Sequence, residues 1–242
     1  MRILVVNDDG ILSEGILALA NFLAIDNEVV VVAPDGNRSA FSHSLSIFKD
    51  IIVKKVEISD KFEAYSMSGT PADCVKFAMH KLNDKKFDLV CSGINKGHNL
   101  GSDTVYSGTI SAGLEANFFG VPAIAFSNTA HKNCNFESNV DTLDRIFNKL
   151  LSMVSSEYTL NVNIPNEREI GVKIAPLGIQ FYTDNYVETG NGVYQLVGEP
   201  TDYVSCENCD VAYSRQGYVT ITPIKYDRTD KTIIEKFKDV KF

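Results

Sequence analysis

Short apolar runs alternate with amphipathic stretches along most of this 242-residue chain. Ile3-Leu4-Val5-Val6 reads as a buried strand, and the stretch from about Glu14 to Ala24 reads as the helix that follows it. Residues 29–33 form a second apolar strand, closed by Pro34-Asp35-Gly36. A helix is predicted to start at Thr70. Threonine is a good N-cap, Pro71 suits the first helical position, and Asp73 completes a capping-box arrangement. Its apolar face is Cys74, Val75, Phe77, Ala78 and Leu82. Residues 88–92 read as a strand, 108–119 as a helix stopped by Gly120, and 122–127 as another strand. From about Ser138 to Val154, apolar residues (Val140, Leu143, Ile146, Phe147, Leu150, Leu151, Val154) recur at the spacing of one helical face. Residues 160–164, 172–176 and 218–224 add strands.

Strands alternating with amphipathic helices predict a mostly parallel sheet covered on both faces, a three-layer α/β/α, Rossmann-like arrangement. Ligands in such folds bind beyond the carboxyl ends of the strands. The polar turns 7–10, 34–40 and 93–97 all follow strands and should converge on one rim. Residues 178–215 are different, with few long aliphatics and many Tyr, Asn, Gly, Asp and Glu. Asn191-Gly192 suits a tight hairpin turn. We therefore expect a single domain with a core of residues 1–177 and 216–226, an extended hairpin arm over 178–215 and a C-terminal oligomerisation tail over 227–242. Phe181, Tyr182, Tyr186 and Tyr194 suit an arm packing on another subunit, and a mobile surface loop is the alternative.

At this length a chain buries roughly 70–75% of its unfolded surface and needs no staple. No apolar run approaches the ~18 residues of a membrane span. Met1-Arg2 leads straight into a strand, and the five cysteines (74, 91, 134, 206, 209) are odd in number and irregular in spacing. Both features suit a cytoplasmic protein. A net charge of −8 argues against affinity for duplex nucleic acid or anionic membrane.

Chemistry enters at Asn7-Asp8-Asp9-Gly10. Two adjacent carboxylates at the end of an apolar strand lose hydration and repel each other, and a cation removes both penalties. The following helix N-terminus supplies only about half an elementary charge. The rim offers Asp8, Asp9, Ser39 and Asn95 as oxygen ligands, a set suited to Mg²⁺, Mn²⁺ or Ca²⁺ rather than Zn²⁺. The plainer account of Asp8-Asp9 is a helix cap with a solvated first-turn carboxylate. Ser107-Gly108-Thr109 precedes a helix and forms a candidate anion site. The Gly/Asn-rich stretch 92–103 before it suits a backbone that approaches a phosphate.

The chain resembles the SurE family of metal-dependent nucleotidases. The residues that carry the resemblance are Arg2-Ile3-Leu4-Val5-Val6-Asn7-Asp8-Asp9-Gly10, Arg38-Ser39-Ala40 with His43-Ser44, and Gly69-Thr70-Pro71-Ala72-Asp73-Cys74-Val75. They continue with Ser92-Gly93-Ile94-Asn95-Lys96-Gly97, Tyr106-Ser107-Gly108-Thr109 and Gly217-Tyr218-Val219-Thr220-Ile221-Thr222-Pro223. The resemblance implies one divalent metal ion per subunit, Mg²⁺ or Mn²⁺, held by Asp8, Asp9, Ser39 and Asn95. It implies 5′- and 3′-nucleotide monophosphatase activity within a broad phosphatase activity, with exopolyphosphatase activity as an open extension. It also implies homodimers or homotetramers built through extended C-terminal elements. Asn95, Ser107, Gly108 and Thr109 are the expected phosphate contacts. His43, Lys96 and Arg38 are candidates for a supporting role, a solvated or structural side chain being the alternative for each. Asp9 is the candidate for directing the nucleophile, as general base or as attacking carboxylate.

Other features are expected to be incidental. Cys206-Glu207-Asn208-Cys209 lacks a second pair or a His partner for zinc and lacks the βαβ context of a redox site. His98 and His131 read as solvated. A phospho-receiver or nucleotide sensor is the rival from another class. It would need a phosphoacceptor Asp ending the third strand, where this chain has Ser92-Gly93-Ile94-Asn95.

Overall fold

The first strand, β1 (Arg2–Val6), lies inside a nine-stranded sheet and is apolar on both faces from Ile3 to Val6. A computed structural model describes residues 1–240; Lys241 and Phe242, the end of the expected tail, lie outside the described residues. After β1 come α1 (Glu14–Leu23), β2 (Glu28–Pro34), β3 (Val53–Val56), β4 (Glu63–Met67) and α2 (Pro71–Lys81). Then follow β5 (Leu89–Lys96), a 3₁₀ turn (Gly101–Val105), α3 (Gly108–Phe118), β6 (Ala123–Asn128) and α4 (Phe136–Leu151). The chain continues through β7 (Thr159–Ile164), β8 (Val172–Ile174), β9 (Asn185–Gly190), β10 (Val193–Val197), α5 (Asp210–Arg215), β11 (Val219–Ile224) and α6 (Lys231–Phe237).

The strand order is β3-β4-β2-β1-β5-β6-β7-β11-β8. The six strands from β4 to β7 run parallel, while β3 and β11 are antiparallel to their inner neighbours. Alternate residues of β1 feed opposite layers. Ile3 and Val5 pack with α1 and α4, and Leu4 and Val6 with α2 and α3. Each such side chain contributes roughly 1.5–3 kcal/mol by burial. This is the expected three-layer α/β/α fold.

The chain departs from β1 to β2 on one side and returns to pair β5 on the other, so β1 and β5 flank the point where strand order reverses. The crevice outside their carboxyl ends is where this fold class binds ligands. Local chemistry sets the elements that reach it. Thr70 and Asp73 form a reciprocal capping box, with Thr70 N–H donating to Asp73 Oδ2 at 2.9 Å. Ser107 Oγ accepts from the Ile110 amide at 3.1 Å and starts α3.

Three regions differ from the sequence reading. β3 and β4 extend the sheet where no strands are predicted, because Lys54 and Lys55 on an exposed edge break the apolar pattern. β5 runs on past Ser92 to Lys96 with a register break, and a Cβ on Gly93 would lie 2.2 Å from the Phe126 carbonyl oxygen. The segment 178–215 divides in two. Hairpin β9–β10 is exposed throughout, but Asp210 and Val211 are fully buried, and Cys209, Val211 and Ala212 pack with Leu100. Asp210 accepts the Gly101 amide at 2.8 Å and the Gly178 amide at 2.7 Å, which ties the base of the expected arm into the body.

Candidate active site

Asn7 shapes the turn after β1. Its side-chain nitrogen donates to the Gly10 carbonyl at 2.9 Å and to Ser13 Oγ at 2.7 Å. The backbone therefore turns sharply at Gly10, which has φ +108° and whose Cβ position lies 3.2 Å from Gly36. Neither Asp8 nor Asp9 caps α1; Ser13 holds the N-cap position. The capping account of the acidic pair therefore fails.

Asp8 is buried and accepts the Thr109 hydroxyl at 2.7 Å on Oδ1. Burial pushes its carboxyl up to about 6; repulsion from Asp9 adds to the shift and the Thr109 hydrogen bond opposes it. Asp9 accepts the Lys96 amide at 3.0 Å. Burial also raises Asp9, against the Lys96 amide and ammonium. The first turn of α3 lies directly against Asp8. A Cβ on Gly108 would stand 2.9 Å from Asp8 Cβ and 3.0 Å from its Oδ2, so only glycine lets that turn approach the carboxylate.

Asp8, Ser39, Asn95, Lys96 and Ser107 line one end of a cavity of about 830 Å³. Asn95 commits its side-chain nitrogen to the Gly97 carbonyl at 2.7 Å, which leaves Oδ1 for a ligand. Asp9 adjoins this end rather than lining it. Among the described residues no three His, Cys, Asp or Glu side chains cluster as metal ligands. A cation here would depend on hydroxyl and amide oxygens beside the two carboxylates, a donor set that fits Mg²⁺ or Mn²⁺. Two neighbouring carboxylates both pushed toward protonation are what such an ion would relieve.

The other candidates fall elsewhere. Thr109 spends its hydroxyl on Asp8, so Ser107 is the member of the Ser107-Gly108-Thr109 group that faces the cavity. The Arg38 guanidinium pairs with Asp35 at 2.7 Å, and only the Arg38 amide reaches this site, donating to the Asp8 carbonyl at 2.6 Å. His43 faces away from the cavity and meets the buried Glu115 at 2.8 Å, which Lys76 also contacts at 2.6 Å. His43 and Ser42 thus pin the loop carrying Ser39; the Ser42 hydroxyl donates to the Val105 carbonyl at 2.7 Å.

The rest of the cavity lining was not legible as site residues: His98, Asn99, Asp103 and His131, together with Tyr106, Gln180, Phe181, Tyr182, Asp184 and Leu196. Tyr182 donates its hydroxyl to Asp103. His98 is largely buried rather than solvated. The Gly/Asn-rich stretch also has packing logic. Asn99 donates to Asn163 and Ser127 at 2.8 Å and accepts at its carbonyl from Asn161 and Asn163. Cys206 and Cys209 are joined as a disulfide, because the turn entering α5 brings their Cα atoms to 5.8 Å.

The family profile described as "Survival protein SurE" matches residues 3–184. The chain is 43% identical over 246 aligned residues to the protein named 5′-nucleotidase SurE of Clostridium botulinum (strain ATCC 19397 / Type A), covering 98% of this chain and 97% of that one. It is 37% identical to the protein of the same name from Pseudothermotoga lettingae, covering 99% and 95%. The crystal structure of the SurE protein from Aquifex aeolicus superposes with a TM-score of 0.85 at 36% identity over 98% of both chains.

Proposed function

The chain belongs to the SurE family, and we propose that it is a divalent-metal-dependent nucleotidase, hydrolysing nucleoside 5′-monophosphates, and 3′-monophosphates alongside them, to nucleoside and inorganic phosphate. The observation that carries this reading is the meeting of the carboxylates after β1, the Asn95 amide of β5 and the first turn of α3 at one end of a single cavity.

Asp8, Asp9, Ser39 and Asn95 are the residues that would hold the cation, whose chemistry when bound is to polarise a phosphoryl oxygen and acidify a water. Ser107 and the Gly108 end of α3 receive phosphate oxygens. Lys96, on the same wall, offsets charge on the transferring group. Asp9 directs the nucleophile, its carboxylate oriented by the Lys96 amide. The cavity, at about 830 Å³, has room for a nucleoside beside the phosphate. The same end accepts other phosphomonoesters and the terminal phosphate of a polyphosphate chain.

Hairpin β9–β10 exposes Tyr186, Val187, Val193, Tyr194, Leu196 and Val197. An isolated two-stranded hairpin is marginal in water, and a second copy of this chain is the cover we propose, giving a homodimer or homotetramer. No helix of the described residues is long and apolar enough to cross a membrane. We take the enzyme to work in the cytoplasm, where buried thiols such as Cys74 and Cys91 stay reduced.

The test is release of inorganic phosphate from 5′- and 3′-AMP and GMP, p-nitrophenyl phosphate and polyphosphate, with Mg²⁺ or Mn²⁺ and after EDTA. Metal-restored release from nucleotides is expected. Binding of AMP without any release under either metal would favour a sensor instead.

A further inference from the structure

We propose that His131 is a catalytic residue that protonates the leaving-group oxygen of the nucleotide. This inference rests on the nucleotidase reading above.

His131 follows β6, whose Ser127 and Asn128 pair with Asn95 and Lys96 of β5. The register therefore delivers the loop carrying His131 to the same edge as Asn95. The Nδ1 edge of the imidazole lies on Gly97; a Cβ there would stand 2.4 Å from Nδ1 and 2.6 Å from Cε1. Only glycine admits the ring at that place, and the carbonyl of the same glycine holds the Asn95 side chain at 2.7 Å. Nε2 is the nitrogen turned away from this backbone. His131 lines the same cavity as Asn95, Lys96 and Ser107.

Its neighbours leave His131 as the group able to act. The ring packs edge-on against His98, with centroids 4.9 Å apart. Burial pushes His98 down to about 4, with the neighbouring imidazole adding to the shift, so His98 is neutral near pH 7. Asp103 Oδ2 stands 3.7 Å from His98 Nδ1, and its carboxylate accepts the Tyr182 hydroxyl. Asp184 and Asp210 act on Asp103, and Arg215 on His98. Lys96 shares the wall, but an ammonium holds its proton more tightly than an imidazolium.

In the step, the P–O bond to the nucleoside breaks and its electron pair passes to the departing oxygen, which takes the Nε2 proton of His131. A water oxygen forms the new P–O bond and gives its proton to solvent through the base that activated it. The imidazole regains a proton from solvent, and nucleoside and inorganic phosphate result. A nucleoside alkoxide needs that proton; a p-nitrophenolate does not.

The experiment compares wild type with H131A and H131Q on 5′-AMP and p-nitrophenyl phosphate in the metal-loaded enzyme. We expect kcat for AMP to fall by about 10²–10³, the usual worth of a placed acid. We expect kcat for p-nitrophenyl phosphate and the AMP Kd by calorimetry to stay within threefold. Added imidazole should restore part of the H131A rate on AMP. Equal losses on both substrates, a rise confined to KM and Kd for AMP, or an unchanged AMP rate would each overturn the assignment. Wild type that releases phosphate from neither substrate would sink the nucleotidase reading first.

Discussion

Replacing Asp8 with asparagine should stabilise the metal-free protein while abolishing its response to metal. Asp8 is 4% exposed. Its carboxyl rises from an ordinary 3.8 to about 6, which at about 1.4 kcal/mol per unit makes the ionised form about 3 kcal/mol more costly in the folded chain than in the unfolded one. Because the folded state holds the proton more tightly, stability falls as pH rises from about 4 to about 6, and the full penalty applies above that. Asparagine carries no charge and can still accept the Thr109 hydroxyl through Oδ1. Allowing for imperfect repacking, D8N should gain about 1–3 kcal/mol at pH 7.5 in EDTA, or roughly 3–8 °C in Tm for a chain of this size. At pH 4 the difference should shrink to under about 1 kcal/mol, since Asp8 is then protonated in the folded wild type. Calorimetry at both pH values, with and without Mn²⁺, reads all of this. Added Mn²⁺ should raise the wild-type Tm with concentration and leave D8N unmoved. A D8N protein less stable than wild type in EDTA at pH 7.5, or a difference indifferent to pH, would refute the claim that Asp8 bears a burial penalty awaiting a cation.

Three further expectations follow the same geometry. G108A places a methyl 2.9 Å from Asp8 Cβ and 3.1 Å from Pro71 Cγ, so it should cost about 1–3 kcal/mol in denaturant midpoint and weaken Mn²⁺ binding measured by titration. D210A leaves the buried Gly101 and Gly178 amides without their acceptor and should cost about 2–4 kcal/mol in urea denaturation; an unchanged midpoint would show that the base of the arm is not held by this carboxylate. Removing residues 185–197 should lower the mass measured by light scattering, and an unaltered mass would count against the hairpin as a subunit contact.

Much of this protein is written in local pattern. The apolar run of β1, the capping box at Thr70 and the single apolar face of α4 each follow from short-range physics, and the carboxylate pair after β1 stands out as costly to bury before any partner is known. Strands β3 and β4 do not, because Lys54 and Lys55 on the edge strand β3, and Glu63, Tyr65 and Ser66 on β4 beside it, leave no apolar signature. Nor does the division of 178–215, since a polar, aromatic-rich segment reads as an arm until Asp210 is seen gripping Gly101 across 109 positions. The site itself separates the same way. Residue type, placement in turns that follow strands and the family resemblance together nominate Asp8, Asp9, Ser39 and Asn95. That Thr109 serves Asp8, that His43 turns to Glu115, and that His98 and His131 meet at the cavity are decided by strand order and helix packing, which join residues 101, 72 and 33 positions apart. Sequence spacing records what lies within a turn or two of helix or strand; contacts between distant segments exist only once the sheet has set which strand ends are neighbours.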